Sequence, residues 1–265
     1  MGELVFVGLG LHNEKGISLN GIEECKAADS VFLELYTSIL SDFSKDRFER
    51  NIGRKVTLVS RSDLEEENGA VIINAARKGK TVFLVPGDPL IATTHISLRI
   101  AAQKQGIRTH IIHGTSIISA VIGSSGLQNY KFGKTVTVPF PENFSETPYK
   151  VIAQNKKMGL HTLCLLDIKK TEKIFLGINE ALVLLSNIEK KRAEGIVTSK
   201  TIAIGLARVG SQDSVLRADY VEGLLKQDFG NPPHCLIFPG QLHFIEAEAL
   251  VILAGAPETI RSTTK

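Results

Sequence analysis

The stretch Val82-Phe-Leu-Val-Pro-Gly-Asp-Pro-Leu-Ile-Ala-Thr-Thr-His95 decides the fold. Its first four residues are apolar and match the length of a buried strand, which must end at Pro86 because proline cannot donate a ladder hydrogen bond. Gly87 admits backbone angles that other residues avoid, and Pro89 pushes the residue before it towards an extended conformation. Asp88 is therefore predicted to lie in a stiff turn at the carboxyl end of a strand, where open α/β sheets bind ligands. The alternative is an ordinary turn with an exposed aspartate, and this stretch alone does not decide between them.

Strands and helices alternate on both sides of this stretch. The predicted strands of the first half are 4–7, 30–35, 55–59, 82–85 and 109–112, and the predicted helices are 18–28, 43–52, 68–78, 94–105 and 117–122. Ser18 is a good N-cap for the first of these helices, and Gly79 and Gly106 follow two others as helix-ending glycines. This alternation predicts a mostly parallel sheet with helices on both faces.

Gly123-Ser-Ser-Gly126 and the segment 128–148 are richer in Gly, Pro, Asn and Ser than the preceding chain. Such residues interrupt regular structure, so we place a domain boundary near residues 126–134. The second half is predicted to contain strands 135–138, 162–167, 201–207 and 235–238 and helices 147–158, 174–191, 220–227 and 246–253. The sequence therefore predicts two α/β domains, over residues 1–128 and 134–265.

The charge balance argues against nucleic acid as the main partner. The 265 residues include 31 Lys and Arg against 28 Asp and Glu, a net charge of +3, with no run of five like charges. No apolar run reaches the length of a membrane span, and the N-terminus lacks the basic region of a signal peptide. We therefore expect neither a nucleic-acid partner nor a membrane association.

The cysteines and histidines predict no disulfide and no metal site. Cys25, Cys164 and Cys235 are far apart and form no CxxC pair, which is typical of reduced thiols in a cytoplasmic protein. The close pair His110 and His113 has no cysteine or carboxylate beside it, so the ligand spacing of a metal site is missing.

A glycine turn follows the first predicted strand, in the order Gly8-Leu-Gly-Leu11. The dinucleotide-binding fingerprint needs a third glycine at position 13, where this chain has Asn13. The two glycines suit equally a tight turn with close backbone packing. The turn alone is therefore weak support for a nucleotide site.

Taken together, the motifs carry a family resemblance that extends over nearly the whole chain. The matching stretches are Val7–Leu11, Glu34–Ser38, Pro86–His95, His113–Ile117, Tyr130–Lys134, His161–Ile168, Ala207–Ser211, Pro232–His234, Pro239–Gly240, Leu242–His243, Glu246–Glu248 and Ala254–Pro257. They resemble the diphthine synthases, a family of the tetrapyrrole methylase superfamily. GLGL and GDP are shared across the superfamily, whereas GDPLIATTH, YKFGK and HTLCLLDIK are much more specific.

The resemblance implies a concrete activity. Members of this family bind S-adenosylmethionine in a cleft between two α/β domains. They methylate the amino group of an aminocarboxypropyl-modified histidine on translation elongation factor 2, and the archaeal type adds three methyl groups to give diphthine. The resemblance also implies a homodimer.

The same resemblance implies which residues bind S-adenosylmethionine. They are Leu11, Asp88, Ile91, Ser116 and Ile117 in the first domain and Leu166, Ala207 and His234 in the second. Each has a purely structural alternative. The apolar residues suit a hydrophobic core, Ser116 suits a helix N-cap, and His234 suits a loop after two prolines.

No catalytic residue is expected, because methyl transfer from a sulfonium to a neutral amine is a direct displacement that positioning can accelerate. Asp88 is expected to orient the cosubstrate through charge-assisted hydrogen bonds rather than to act as a base. Two alternatives remain open. One is a corrin-precursor methyltransferase of the same superfamily, and the other is a non-catalytic nucleotide-sensing module.

Overall fold

The structure is a computed structural model that describes residues 2–169, 172 and 174–263. The chain divides into two compact units, Met1–Ile117 and Ile118–Lys265. This division falls at the start of a helix, whereas the domain limits 1–128 and 134–265 rest on composition and stay a prediction. No helix among the described residues is long and apolar enough to cross a membrane.

The first unit contains a five-stranded sheet in which every neighbouring pair is parallel. Its strands are β1 (Glu3–Gly8), β2 (Ser30–Glu34), β3 (Thr57–Val59), β4 (Lys80–Val85) and β5 (Arg108–Ile112), in the order β3-β2-β4-β1-β5. The helices are α1 (Leu19–Ala27), α2 (Lys45–Ile52), α3 (Arg61–Glu65), α4 (Ala70–Lys78), α5 (Ile96–Lys104) and α6 (Ile117–Ser125), which begins at the last residue of the unit. The predicted parallel α/β architecture is confirmed.

The alternation of side chains along β1 builds two cores, one on each face of this sheet. Val7 joins a buried cluster with Phe48 of α2, whereas its neighbour Phe6 joins a second cluster with Ile72 of α4. Successive residues of a strand point to opposite faces, so a strand covered on both sides is apolar throughout. This explains why the strands read as continuous apolar runs.

The glycines after β1, β4 and β5 allow these three strand ends to touch. Gly10 and Gly87 exchange backbone hydrogen bonds of 3.1 and 2.8 Å. A Cβ atom on Gly114 would lie 2.3 Å from the carbonyl oxygen of Gly87, and one on Gly8 would lie 2.5 Å from the same oxygen. No real Cβ fits at such distances, so the glycine turn serves close backbone packing, as the sequence allowed.

The second unit contains a mixed sheet in the order β11-β10-β12-β7-β6. Its strands are β6 (Val136–Val138), β7 (Thr162–Leu166), β10 (Ile202–Ala207), β11 (Val215–Tyr220) and β12 (His234–Phe238), and a separate hairpin pairs β8 (Ile168–Lys169) with β9 (Ile174–Phe175). Strands β6 and β7 are parallel and the other neighbours in the sheet are antiparallel. The helices are α7 (Thr147–Lys157), α8 (Ile178–Arg192), α9 (Val221–Leu224) and α10 (Phe244–Ala254).

Two helix predictions in the second half are wrong in extent. The helix predicted at 174–191 begins only at Ile178, where the side chain of Glu180 accepts the backbone N–H of Gly177, and the two residues at its predicted start form β9. The helix predicted at 220–227 shrinks to Val221–Leu224. The preceding strand β11 was not predicted, because its polar residues mask the alternating pattern of a half-exposed edge strand.

A buried carboxylate anchors α10 to the rest of the second unit. Glu246 is fully buried and accepts hydrogen bonds from the backbone of Gln128 and His243, both at 2.8 Å, and from the ring of His161 at 2.9 Å. Lys131 forms an ion pair with the same carboxylate. Burial lowers the pKa of His161, whose Nδ1 accepts the backbone N–H of Gly240. A buried charge with this many donors is satisfied and holds the YKFGK and HTLCLLDIK segments together.

Gly114→Ala is expected to lower the free energy of unfolding by about 1–3 kcal/mol, because the added methyl collides with a backbone oxygen that no side-chain movement relieves. Gly123→Ala in α6 is the matched control, since its Cβ meets nothing within 4 Å. The control should gain about 0.5–1 kcal/mol from the lower conformational freedom of alanine. Urea unfolding of both variants checks this, and equal midpoints would contradict the close contact.

Candidate active site

The structure brings the five predicted binding residues of the first unit to one edge of its sheet. They follow the carboxyl ends of β1, β4 and β5, which are neighbours in the strand order. These residues are Leu11 after β1, Asp88 and Ile91 after β4, and Ser116 and Ile117 after β5. The crossover from β1 leads towards β2 and the crossover from β4 leads towards β5, so the two leave this edge in opposite directions. Ligands of open α/β sheets usually bind at such a point.

Asp88 is not an exposed turn residue. It is only 6% exposed, and its Oδ1 accepts the backbone N–H of Leu90 at 3.1 Å. Its Oδ2 lies 2.7 Å from Nδ1 of His113, the first residue after β5. Both oxygens are therefore held, and the carboxylate is fixed in one orientation by the loop that contains it and by the neighbouring loop.

The loop that follows Asp88 is internally braced and partly exposed. The hydroxyl of Thr93 donates to the carbonyl oxygen of Pro89 at 2.9 Å, and Ala92 has a φ of 57°. A positive φ is uncommon for alanine and persists only where surrounding contacts enforce it. Ile91 at the loop tip is 43% exposed, so this predicted binding residue is not part of the core.

A fully buried carboxylate anchors the far end of the same loop. Glu34, the last residue of β2, accepts the backbone N–H groups of Tyr36 at 2.8 Å and Thr37 at 3.0 Å, and also the Thr37 hydroxyl. His95 is 2% exposed, and its Nε2 lies 3.4 Å from Oε1 of Glu34. The His95 ring also packs edge-on against Phe83 of β4, at a centroid distance of 5.1 Å. The loop 86–95 is thus fixed at both ends.

The three predicted binding residues of the second unit lie side by side at one end of its sheet. Ala207 pairs directly with His234, which begins β12. Leu166 follows Leu165, whose partner is Cys235, so it lies next to His234 on the other side. Leu166 and Ala207 belong to the hydrophobic core of this unit, as their apolar character allowed.

His234 differs from its two neighbours because it has polar side-chain atoms that are buried without a hydrogen-bond partner among the described residues. Neither ring nitrogen has a hydrogen-bond partner among the described residues. Burial lowers the pKa of His234 and the charge of Arg208 acts in the same direction, whereas the backbone of residues 229–231 opposes them without making a hydrogen bond to the ring. The imidazole is therefore neutral at pH 7, with one donor and one acceptor to offer. Such orphaned buried groups are rare and indicate a missing partner.

Arg208 shapes the turn beside His234. Its guanidinium donates to the side chain of Asp213 at 2.7 Å and to the carbonyl oxygen of Phe229 at 2.8 Å, and it also contacts the carbonyl of Asn231. Its backbone N–H donates to the carbonyl oxygen of Pro233 at 2.9 Å. The Arg208 side chain thus connects the loop that follows β10 with the loop that precedes His234.

Comparisons with known proteins identify the family. The model of the Tetrapyrrole (Corrin/Porphyrin) Methylases matches residues 3–217. Diphthine synthases from Methanosarcina acetivorans and Methanothermobacter thermautotrophicus are 47% and 42% identical, over 99% and 97% of this chain and 100% and 97% of their own lengths. The chain belongs to the diphthine synthase family of the tetrapyrrole methylases. A crystal structure of a diphthine synthase superposes with a TM-score of 0.89 at 40% identity, covering 98% of this chain and 99% of that one.

Membership of this family confirms the predicted fold and the predicted S-adenosylmethionine-dependent methyltransferase activity. The corrin-precursor methyltransferase and the nucleotide-sensing module are not favoured, since the full-length relatives are named diphthine synthases. Among the residues described by the structure, no three His, Cys, Asp or Glu side chains are grouped to hold a metal ion.

The partners of these residues were not predicted from the sequence. His113, Glu34 and His95 all stand in motifs that match the family, but no contact between them was predicted. His113 is 25 residues from Asp88, and His95 is 61 residues from Glu34. Only the strand order β2-β4-β1-β5 explains both pairs, and the available signal was a polar residue at or shortly after the carboxyl end of β2, β4 and β5.

Glu34→Gln is expected to lower the free energy of unfolding by about 1–3 kcal/mol. The amide replaces one carboxylate oxygen with a group that cannot accept, so a buried donor loses its partner. Glu23→Gln on the exposed side of α1 is the control, with a change within about 0.5 kcal/mol. Chemical denaturation measures both, and a Glu34 variant as stable as the control would show that these bonds contribute little.

Proposed function

We propose that this protein is the S-adenosylmethionine-dependent methyltransferase that trimethylates the amino group of the aminocarboxypropyl-modified histidine of translation elongation factor 2, giving diphthine. The observation that carries the proposal is the likeness to diphthine synthases along the whole chain, in both units. A cytoplasmic location follows from the site of action of the elongation factor.

The predicted residues of each unit, taken separately, offer groups that fit S-adenosylmethionine as a cosubstrate. Asp88 supplies a fixed carboxylate at the carboxyl end of β4, and His234 supplies buried nitrogens that lack hydrogen-bond partners in the part of the chain that the structure describes. The remaining positions are Leu11, Ile91, Ser116, Ile117, Leu166 and Ala207. A cosubstrate with an adenine, ribose hydroxyls and an amino-acid end offers both apolar surface and hydrogen-bonding groups to such a set.

Methyl transfer requires that the acceptor nitrogen is positioned in line with the methyl group and that this nitrogen is neutral. When bound, S-adenosylmethionine supplies an electrophilic methyl group whose leaving group is a neutral thioether. The acceptor nitrogen attacks only without its proton, because an ammonium has no lone pair. The products of the first two transfers are still amines that can react. The third is a fixed cation, which ends the methylation of nitrogen without further discrimination.

A homodimer is part of the proposal, in line with the resemblance and with the prevalence of two-fold assemblies. Light scattering at micromolar concentration is expected to give twice the chain mass of 28.8 kDa. A single species near 28.8 kDa would contradict it.

Labelled-methyl transfer tests the proposed function. The acceptor is elongation factor 2 that carries the aminocarboxypropyl group, and the expected product contains three labelled methyl groups per modified histidine. Unmodified elongation factor 2 is the control, and a precorrin is the competing acceptor. Transfer to the precorrin alone would overturn the proposal.

His234→Phe is expected to weaken S-adenosylmethionine binding about 5- to 30-fold, as for the loss of a buried hydrogen bond of about 1–2 kcal/mol. Because burial lowers the pKa of His234 below its usual value of 6.5, the ring is still mostly neutral at pH 6.5. The ratio of wild-type to His234→Phe affinity should therefore stay constant from about pH 8 to 6.5 and decline only at more acidic pH. Calorimetry checks this, with His110→Phe on the exposed side of β5 as the control. Equal affinities of the two variants would leave His234 without a role in binding.

A further inference from the structure

The pair formed by Asp88 and His113 combines a buried acid with an exposed base. The carboxylate of Asp88 is almost covered, whereas the side chain of His113 is 73% exposed. The 2.7 Å contact joins Oδ2 to Nδ1, so it uses the ring nitrogen nearer the backbone. The other nitrogen, Nε2, lies on the opposite side of a ring that is open to solvent.

This contact selects one form of the neutral imidazole. A carboxylate only accepts hydrogen bonds, so Nδ1 must carry the hydrogen and donate it. Nε2 of the neutral ring then holds a lone pair. An imidazole oriented by a buried carboxylate at Nδ1, with a free lone pair on Nε2, is the usual arrangement of a general base.

Glycine packing fixes the backbone on which the pair lies. Asp88 follows Gly87 and His113 precedes Gly114, and these two glycines are packed against each other and against Gly8. This packing places the backbones of Asp88 and His113 at the sheet edge where the predicted binding residues of the first unit lie. The 2.7 Å hydrogen bond then orients the imidazole.

We propose that His113 is the general base that takes the proton from the acceptor ammonium, and that Asp88 is its positioning residue. This inference rests on the proposed function. A proton passes from the acceptor nitrogen to Nε2 of His113. The freed lone pair then forms the nitrogen–carbon bond to the methyl group, while the carbon–sulfur bond breaks and its electron pair stays on the sulfur.

His113 then releases its proton to solvent, which its exposure permits, and the site is ready for the next transfer. Two further proton removals precede the second and third transfers. Exposure also suits an acceptor that is carried on another protein and must be presented from outside. The trimethylated product has no N–H left, so there is no further proton for the base to remove.

The other histidines at this sheet edge do not suit the role. His95 is buried, and its Nε2 already faces the carboxylate of Glu34. His12 follows β1, and its Nδ1 lies 2.8 Å from the hydroxyl of Ser41 rather than from a carboxylate. Asp88 itself is nearly covered and has both oxygens engaged. Among these side chains, His113 combines a carboxylate partner with an exposed ring.

The test is the pH dependence of single-turnover methyl transfer at saturating S-adenosylmethionine, for the wild type and His113→Gln. At pH 6.5 the variant should be about 15- to 30-fold slower, because only a few per cent of an amine with a reference pKa of about 7.7–8.0 is neutral in solution at that pH. At pH 9.5 the two rates should agree within about threefold, because an amine with a reference pKa of about 7.7–8.0 is then already neutral in solution. Added imidazole should restore the variant at pH 6.5.

Two further variants separate the base from a structural effect. His110→Gln, on the exposed side of the same strand, should match the wild type at every pH. Asp88→Asn should slow transfer at pH 6.5 and reverse the His113 tautomer, which nitrogen NMR of histidine-labelled protein reports without any substrate. Calorimetry of each variant shows whether cosubstrate binding is intact.

The outcomes are distinct. A His113→Gln rate that parallels the wild type at all pH values would overturn the inference and leave the proposed function standing. A loss that is equal at pH 6.5 and 9.5 would also overturn it, because a missing base is replaced by solvent at high pH. Absence of transfer by the wild type to modified elongation factor 2 would overturn both.

Discussion

Backbone contact between three strand ends is the constraint on which the first unit depends. Gly8, Gly87 and Gly114 follow or end β1, β4 and β5, and a side chain at Gly8 or Gly114 would overlap a neighbouring backbone. Because nothing separates the three loops, the groups that follow them converge on one edge of the sheet. The glycines thus position the chemistry without taking part in it, which is why a GxG turn appears here without the dinucleotide fingerprint.

Two histidine–carboxylate pairs hold the loop 86–95, and their environments differ. His95 and Glu34 are both buried, so their contact is a structural anchor that connects the loop to β2. Asp88 is covered but His113 is exposed, so the second pair connects the loop to β5 and still presents a ring to solvent. The same two residue types therefore serve stability at one end of the loop and, by our proposal, proton transfer at the other.

The second unit uses a different solution to place its residues. Its mixed sheet brings Leu166, His234 and Ala207 together by strand register rather than by converging loops. Two of them are core residues, and the middle one carries nitrogens that have no hydrogen-bond partner among the described residues. Arg208 fixes the backbone around that histidine. Its hydrogen bonds stabilise the adjoining loops and so offset part of the free-energy cost of burying the histidine.

The sequence by itself determined the alternation of strands and helices, the turn after β4 and the family, because these depend on local patterns such as the Pro86–Pro89 turn and on long motif matches. It did not determine the extent of α9 or the existence of β11, whose half-exposed residues lack a clear period. It also did not pair Asp88 with His113 or Glu34 with His95. Those contacts join residues that are 25 and 61 positions apart, and only the order of the parallel strands decides which strand ends lie next to each other.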